Sequence, residues 1–259
     1  MITHDLHMHT TFCDGKNTPD QMVISALNKG FKTIGFSGHS YTDFDESYCI
    51  SKEDMKNYFD EIHRLKLLYK DRINILCGIE QDYYAGKPDL DFDYIIGSVH
   101  YILKNGVYLY VDKSEQYTVD AVNKYYNGDF YAYAEEYYQI VSDVLNKTNA
   151  DIIGHFDLVT KFNEGQKLFD EKNPRYVNAY KSAVDSLITH NKPFEINTGA
   201  ISRGYRTTPY PSFQILDYIK EKGGKVVFSS DSHRSDNIGF QFDKWEPIIK
   251  KTGVEIQYI

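Results

Sequence analysis

Short apolar runs alternate with amphipathic helical patterns along most of the chain. The runs at 33–38, 73–79 and 94–99 have the length and the β-branched content of buried strands. In the segments between such runs, apolar residues recur at helical spacing, which is typical of helices with one buried face. Alternating strands and helices predict βα units and a parallel sheet. Seven units follow, with strands at about 5–10, 32–37, 73–80, 94–100, 152–154, 193–197 and 225–229.

Local signals place the helices and one interruption. Thr18-Pro19 and Ser51 are typical helix starts, and they predict helices at about 18–30 and 51–71. Further helices are predicted at 129–146, 174–190 and 211–222, then an amphipathic stretch near 242–249 and a short strand at 254–258. Residues of about 103–128 break the alternation, with a hairpin turn at Gly106, and we interpret them as an insertion or cap. No linker or repeat divides the chain, so residues 1–259 are predicted to form a single domain.

Composition narrows the class of protein. The net charge of −8 disfavours a general nucleic-acid or membrane-surface binder, which usually carries a basic face. Three scattered cysteines indicate a reducing compartment, and no apolar run approaches the roughly 18 residues that span a bilayer. We therefore predict a cytoplasmic protein without nucleic-acid or membrane partners. The chain has 23 tyrosines, and we interpret the cluster at 125–138 as helix packing and not as a ligand platform.

Metal-ligand residue types stand at the ends of nearly all the predicted strands. In the first strand His7 and His9 point to the same face, together with Asp5. Taken alone, His7 and His9 fit a solvent-exposed edge strand as well as a metal site. The repetition at later strand ends is hard to explain by packing and favours a site of imidazoles and carboxylates. The later residues are His39, Glu80, His100, His155, Asp231 and His233. His4, His63 and His190 have no such context and are interpreted as structural.

The same pattern bears on the architecture. In an open doubly wound sheet, only the few strands at a switch point contribute to a ligand site. In a TIM-type barrel, every strand ends at one rim, where the site is built. Since nearly every strand here ends in a candidate ligand, we predict an α/β fold with a (β/α)7 barrel and a site at the C-terminal rim.

The candidate ligands carry a family resemblance. In order, His7-x-His9, Asp14, His39, Glu80, His100, His155 and Asp231-x-His233 resemble the pattern of the polymerase and histidinol phosphatase (PHP) superfamily. The resemblance covers essentially the whole chain. Within the superfamily, the phrases Gly97-Ser98-Val99-His100, Ile153-Gly154-His155-Phe156-Asp157 and Glu195-Ile196-Asn197-Thr198 are most similar to histidinol-phosphate phosphatases. The resemblance to the PHP superfamily implies a distorted barrel that holds two to three divalent ions of zinc, manganese or iron.

The resemblance also implies how the ligands divide and what they do. The first ion would take His7, His9, Glu80 and Asp231; the second Glu80, His100 and His155; the third Asp14, His39 and His233. Glu80 would bridge two ions. A metal-bridging hydroxide would attack the phosphorus of L-histidinol phosphate without a covalent enzyme intermediate. Asp231 and His233 are the candidates for protonating the leaving group.

Three cations are candidates for gripping the phosphate. Arg203 and Arg206 follow the sixth strand, and guanidinium groups suit two-point phosphate contacts. Lys161 follows the fifth strand, at a point where members of the family tend to carry arginine. The chain also has Gly38 before His39, where the family often has an acidic residue. These departures concern the grip on the substrate and the support of one ligand, and they leave the hydrolytic core intact.

Other functions fit the same residues. A PHP phosphoesterase with a nucleotide, sugar phosphate or phosphotyrosine substrate would keep this core, because such sites differ mostly in their loops. A non-catalytic metal-binding PHP module is the remaining alternative, although degenerate copies lose ligands and this chain keeps all of them. The expected partner is a small phosphomonoester. The sequence leaves the oligomeric state, the identity of the metal and the exact substrate open.

Overall fold

Ten strands are present in the computed structural model, which describes residues 1–259. They are β1 (His4–Asp5), β2 (Thr33–Phe36), β3 (Asn74–Asp82), β4 (Tyr94–Ser98), β5 (Tyr101–Lys104), β6 (Val107–Tyr110), β7 (Ile152–Ile153), β8 (Phe194–Asn197), β9 (Lys225–Ser229) and β10 (Glu255–Ile256). All seven strands expected from the apolar runs are among them. The short closing strand expected at 254–258 is β10.

Eight strands form one parallel sheet in the order β1-β2-β3-β4-β7-β8-β9-β10. Beyond β1 and β9 the chain closes this sheet, because Met8 pairs with Ser232 and the His9 N–H donates to the Ser232 carbonyl at 2.8 Å. β10 pairs with the opposite end of β9, at Lys225 and Val226. The predicted distorted barrel is confirmed. The strand order follows the chain without a reversal, so the open doubly wound alternative is excluded.

Nine helices accompany the strands. They are α1 (Pro19–Asn28), α2 (Lys52–Tyr69), α3 (Glu115–Tyr126), α4 (Phe130–Val141), α5 (Val144–Thr148), α6 (Pro174–Leu187), α7 (Gly199–Ser202), α8 (Phe213–Glu221) and α9 (Phe242–Thr252). The Thr18 hydroxyl accepts the Gln21 N–H at 3.3 Å, and the Gln21 side chain accepts the Thr18 N–H at 3.0 Å. At the start of α2 the Ser51 hydroxyl accepts the Asp54 N–H at 3.1 Å. No helix combines the length and the apolar character needed to cross a membrane.

The helix predicted at 129–146 is in fact two helices, α4 and α5. Asp143 leaves helical geometry, with φ −108° and ψ 1°. Its carboxylate accepts the Tyr83 hydroxyl at 3.1 Å, a contact with a distant segment that the local pattern does not reveal. Tertiary hydrogen bonding therefore accompanies the break in an otherwise continuous amphipathic pattern.

The interrupting segment contains an antiparallel hairpin and a helix. β5 and β6 pair from Tyr101 to Tyr110, which confirms the hairpin turn predicted at Gly106. The turn has positive φ at Asn105 and Gly106. Helix α3, which the sequence analysis did not predict, follows the hairpin. Between them, Asp112 and Lys113 border the cavity described below, so this segment forms part of the wall of the site.

The tyrosine cluster belongs to the core between helices. Tyr133, Tyr137 and Tyr138 on α4 are each 1% exposed. The Tyr138 hydroxyl lies 2.9 Å from that of Tyr176 on α6, so the buried polar tip finds a partner in the neighbouring helix. This confirms packing as the role of these three aromatic side chains.

Candidate metal centre

Nine side chains converge at the C-terminal rim of the barrel. Strands of a parallel barrel end at one rim, so residues that are distant in sequence meet there. Seven of the nine are buried, and the other two, Asp14 and His233, are partly exposed. The rim surrounds a cavity of about 380 Å³. The nine are the predicted ligands His7, His9, Asp14, His39, Glu80, His100, His155, Asp231 and His233.

The Glu80 carboxylate on β3 stands between two groups of imidazoles. Its Oε2 atom faces three ring nitrogens, at 3.2 Å for His7, 3.6 Å for His9 and 2.8 Å for His39. Its Oε1 atom faces two others, at 2.9 Å for His155 and 3.4 Å for His100. Each oxygen of one buried carboxylate thus serves a different group, which is the arrangement a bridging ligand requires.

Asp231, just beyond β9, also divides its two oxygens. Oδ1 lies 3.2 Å from His9 Nε2 and 3.8 Å from His7 Nε2. Oδ2 lies 2.8 Å from a guanidinium nitrogen of Arg203. The residue has a positive φ of 49°, an uncommon conformation for a non-glycine residue that is often found at functional sites.

A third group lies at the more open side of the rim. The Asp14 carboxylate lies 3.2 Å from His233 Nε2 and 3.6 Å from His39 Nε2. The His9 ring lies between the other two rings, with centroids 4.2 Å from His39 and 4.1 Å from His233. Asp14 has no strand of its own, and the turn after β1 brings it to the rim.

Several of these atoms lack a hydrogen-bond partner in the protein. They are His7 Nε2, His9 Nε2, Glu80 Oε2, Asp14 Oδ1 and His155 Nδ1. A buried polar atom left without a partner costs about 1–3 kcal/mol. The ligand atoms form three groups within 4.8 Å: His7, His9 and Glu80; His39, Glu80 and His100; and His9, Asp14, His39 and His233. Converging, unpartnered imidazole and carboxylate atoms fit divalent transition-metal ions.

The electrostatics keep the carboxylates and His9 in the protonation state that metal binding requires. At His7 and His100 the acidic neighbours outweigh burial and raise the pKa, so an ion that binds there displaces protons. Burial alone would raise the pKa of the Glu80 carboxyl, but the imidazoles of His7, His39 and His100 hold it well below its usual range. Burial likewise opposes ionisation of Asp231, and Arg203 with His7 lowers its pKa. Burial lowers the pKa of His9 to about 3, helped by the nearby His233 and His39. The carboxylates are therefore charged and His9 is neutral at neutral pH.

Two of the three predicted phosphate-binding cations border the cavity. Arg203 donates to the Asp231 carboxylate at 2.8 Å and to its carbonyl at 3.1 Å, and it lies 3.1 Å from His233 Nδ1. Lys161 donates to the carboxylate of Asp112 at 3.0 Å and to its carbonyl at 3.1 Å. Both side chains are held at the rim by acidic neighbours, and both face the open space above the ligands.

Arg206, the third predicted cation, does not border the cavity. It is 8% exposed and hydrogen-bonds the Thr160 hydroxyl and, at 3.3 Å, the Thr208 carbonyl. Its guanidinium lies 4.5 Å from the ring centroid of Tyr210. These contacts use the side chain to fasten two loops together, and we therefore leave Arg206 out of the site proposed below.

Two supporting carboxylates were not assigned a role from the sequence. Glu195 lies behind His7, with 2.5 Å between Oε1 and Nδ1, and Asp82 lies 3.2 Å from His100 Nδ1. Imidazoles that bind metals usually donate their second nitrogen to such an acceptor. A signal was present in both cases, since Glu195 interrupts an apolar strand and Asp82 stands two residues after Glu80, on the same face of β3.

Other polar residues near the site have structural partners. Asp5 shares a strand with His7, but its carboxylate accepts the N–H groups of Ser230 at 3.0 Å and Gly239 at 2.9 Å, outside the ligand groups. Cys13 Sγ lies 3.6 Å from His9 Nδ1, and burial raises the pKa of this thiol to about 12. His63 bonds the carbonyl of Phe59 within α2, away from the rim.

The sequence of this chain is similar to a known protein family and to curated proteins. A family model for the PHP domain matches residues 5–199. A curated relative, the histidinol-phosphatase of Bacillus subtilis, is 30% identical over 267 residues, which cover 94% of this chain and 98% of the relative.

Solved structures share the fold. A Listeria monocytogenes protein, provisionally named a histidinol phosphatase, superposes with a TM-score of 0.82 at 20% identity, over 93% of this chain and 99% of its own. The histidinol phosphate phosphatase of Lactococcus lactis, solved with zinc, L-histidinol and phosphate, gives a TM-score of 0.71 at 22% identity, over 98% of this chain and 95% of its own.

Proposed function

This chain belongs to the PHP domain family, and we propose that it is a metal-dependent phosphomonoesterase that hydrolyses L-histidinol phosphate to L-histidinol and phosphate. The observation that carries the proposal is the Glu80 carboxylate, whose two oxygens face separate groups of imidazoles. The relative from Bacillus subtilis and the zinc-containing Lactococcus lactis structure supply the substrate class. A non-catalytic module is disfavoured because every ligand position is filled.

The nine rim residues would hold two to three divalent ions. Glu80 would be shared by two of them, and Asp14 would belong to the third. When bound, such ions stabilise the charge on the phosphoryl oxygens and lower the pKa of the attacking water. The remaining tasks belong to the chain itself, and they are gripping the phosphate, orienting it and handling the proton of the leaving group.

We assign the phosphate grip to Arg203 and Lys161. Both side chains border the cavity, and their acidic partners hold them in fixed positions. Both terminal nitrogens of Arg203 donate to Asp231, which fixes the guanidinium at the rim of the cavity.

Of the two candidates for protonating the leaving alkoxide, His233 suits the role better than Asp231. Arg203 and His7 keep the pKa of Asp231 well below its usual range, so this carboxyl carries no proton at neutral pH. The His233 side chain is 20% exposed and borders the cavity, within reach of a leaving group. We therefore assign proton delivery to His233, in the state with two ions in which its imidazole is not a ligand, and an anchoring role to Asp231.

The cavity suits a small monoester. Its volume of about 380 Å³ lies at the lower end of the range for small-molecule sites. The outer wall carries Asp45, Tyr101, Tyr110 and Asp112, which offer acidic and aromatic contacts to a cationic or aromatic alcohol. L-histidinol, with an ammonium group and an imidazole ring, has this chemistry.

A panel of phosphomonoesters tests the assignment. The purified protein, loaded with zinc or manganese, should hydrolyse L-histidinol phosphate with a higher kcat/KM than nucleotides, sugar phosphates or a phosphotyrosyl peptide, and a phosphodiester should be poor. If one of the other monoesters is preferred, the substrate assignment is wrong while the metallophosphatase assignment stands. If no phosphate ester is hydrolysed in the metal-loaded protein, the proposed activity is wrong altogether.

A further inference from the structure

A fully buried carboxylate lies behind the metal centre and touches both of its halves. Glu195 on β8 is 0% exposed and does not border the cavity. Its Oε1 lies 2.5 Å from His7 Nδ1 and accepts the hydroxyl of Ser229. Its Oε2 accepts the backbone N–H of His155 at 2.7 Å and the side-chain amide of Asn197 at 2.9 Å.

All four partners act on Glu195 as donors, and a carboxylate is the side chain that can accept from all of them. Accepting from His7 Nδ1 fixes the proton on that nitrogen and leaves Nε2, 3.2 Å from Glu80 Oε2, free to bind an ion. Accepting from the His155 backbone fixes the residue whose ring lies 2.9 Å from Glu80 Oε1. The two oxygens of Glu195 thus secure one ligand on each side of Glu80.

We propose that Glu195 is a positioning residue that couples the two ion sites on either side of Glu80, one through His7 and the other through His155. The proposal rests on the proposed function only in so far as the rim binds metal ions. It goes beyond that function because it assigns joint control of two ions to a residue that touches neither the substrate nor the ions.

Asp82 provides the contrasting case. Its Oδ2 lies 3.2 Å from His100 Nδ1 and accepts the His100 backbone N–H at 3.2 Å. His100 faces only Glu80 Oε1, so Asp82 supports a ligand on one side of the bridge. If Glu195 couples the two ion sites, its removal should lower the metal affinity of both, whereas removal of the Asp82 carboxylate should lower the affinity of one.

The test is the stepwise zinc affinity of Glu195→Gln and Asp82→Asn, measured by competition with a chromophoric chelator and by elemental analysis. In Glu195→Gln, the side-chain amide can take two orientations. In one, its NH2 group faces the His155 and Asn197 donors, and neither can donate to it. In the other, the NH2 group donates to His7 Nδ1, so that His7 carries its proton on Nε2 and loses the atom that would bind the ion. We expect zinc affinity to fall about 10–100-fold at two sites, since loss of an outer carboxylate typically has this effect. Asp82→Asn should weaken one site.

Asp157→Asn is the matched control. Asp157 is also 0% exposed, and its carboxylate accepts the Ser212 N–H at 3.0 Å and makes no hydrogen bond or ion pair with a candidate ligand. This variant should lower the melting temperature and leave zinc affinity unchanged, which separates positioning from a general loss of stability.

A measurement on the wild-type protein completes the test and needs no folded variant. In the zinc-loaded chain, NMR of ¹⁵N-labelled histidine should show a slowly exchanging proton on His7 Nδ1. A folded Glu195→Gln with wild-type affinity at every site, or a His7 proton on Nε2, would overturn the proposal. Zinc binding as expected without hydrolysis of L-histidinol phosphate would instead contradict the proposed function and leave this inference standing.

Discussion

Replacing Arg203 by lysine should separate the grip on the phosphate from the binding of metal. Arg203 makes two hydrogen bonds to Asp231, at 2.8 and 3.1 Å, and lies 3.1 Å from His233. A lysine ammonium cannot reproduce the planar fork and retains at best one of these contacts. The bond that matters for the rate is the one that the guanidinium would donate to the phosphate, and losing one such charge-assisted hydrogen bond costs about 1.5–3 kcal/mol. At about 1.4 kcal/mol per factor of ten, kcat/KM should fall about 10- to 100-fold.

Metal content should survive this change. Asp231 turns Oδ2 toward Arg203 and Oδ1 toward His9 and His7, and a lysine keeps a positive charge beside this carboxylate, so Oδ1 should remain charged and directed at the ligands. The assay is phosphate release from L-histidinol phosphate over a range of concentrations, with elemental analysis of the same samples.

Arg206→Lys is the matched control for Arg203→Lys. Arg206 is buried outside the cavity, so its replacement should lower the melting temperature and leave kcat/KM within about twofold of wild type, as for changes that touch no reacting group. The reasoning is refuted if Arg203→Lys retains wild-type kcat/KM, or if the two variants lose activity equally while both remain folded.

Two further predictions use other parts of the chain. Glu80→Ala should abolish most of the activity and release more than one ion per chain, because each oxygen of this carboxylate faces a different set of imidazoles. His63→Ala, on α2 away from the rim, should keep the activity and metal content of wild type. Equal metal loss in both variants would contradict the bridging role of Glu80. Lys250, the N-terminal amine and the Ile2 N–H outweigh partial burial and lower the pKa of Glu246 from 4.5 to about 2. A lowered pKa stabilises the fold above pH 4.5 and less so as the pH falls toward 2. Chemical unfolding should therefore show Glu246→Gln less stable than wild type at pH 6, with the difference shrinking toward pH 2; a constant difference would contradict this.

The strands and the convergence of the candidate ligands were predictable from the sequence because both depend on local pattern. A buried parallel strand must be apolar, and the residue after it reaches the common rim whatever its neighbours are. His39, His100 and His155 each follow such a run, and their meeting point followed from the barrel alone. Asp14 followed only from the family resemblance, since it lies in a turn.

What the sequence could not show depends on contacts between distant segments. Arg203 and Arg206 both follow the sixth predicted strand, and the sequence does not show which of them reaches the cavity. Only the packing of Arg206 against Tyr210 and Thr160 removes it from the cavity. Asp5 shares the face of His7 by alternation, yet donors from the far end of the chain, at Ser230 and Gly239, occupy its carboxylate. The break between α4 and α5 likewise accompanies a contact between distant segments, from Tyr83 to Asp143. Helix α3 differs, because its Ser114 cap and its end at Asn127 are local signals that the sequence analysis did not use.

The most direct measurement is a metal titration of the enzyme with L-histidinol phosphate as substrate. Protein stripped of metal by a chelator should release no phosphate, because the converging ligand atoms of His7, His9 and Glu80 then hold no ion. Activity should return as zinc or manganese is added and should reach its plateau only after more than one equivalent per chain. Full activity in the metal-free protein, or a metal-loaded protein that leaves L-histidinol phosphate intact, would contradict the account.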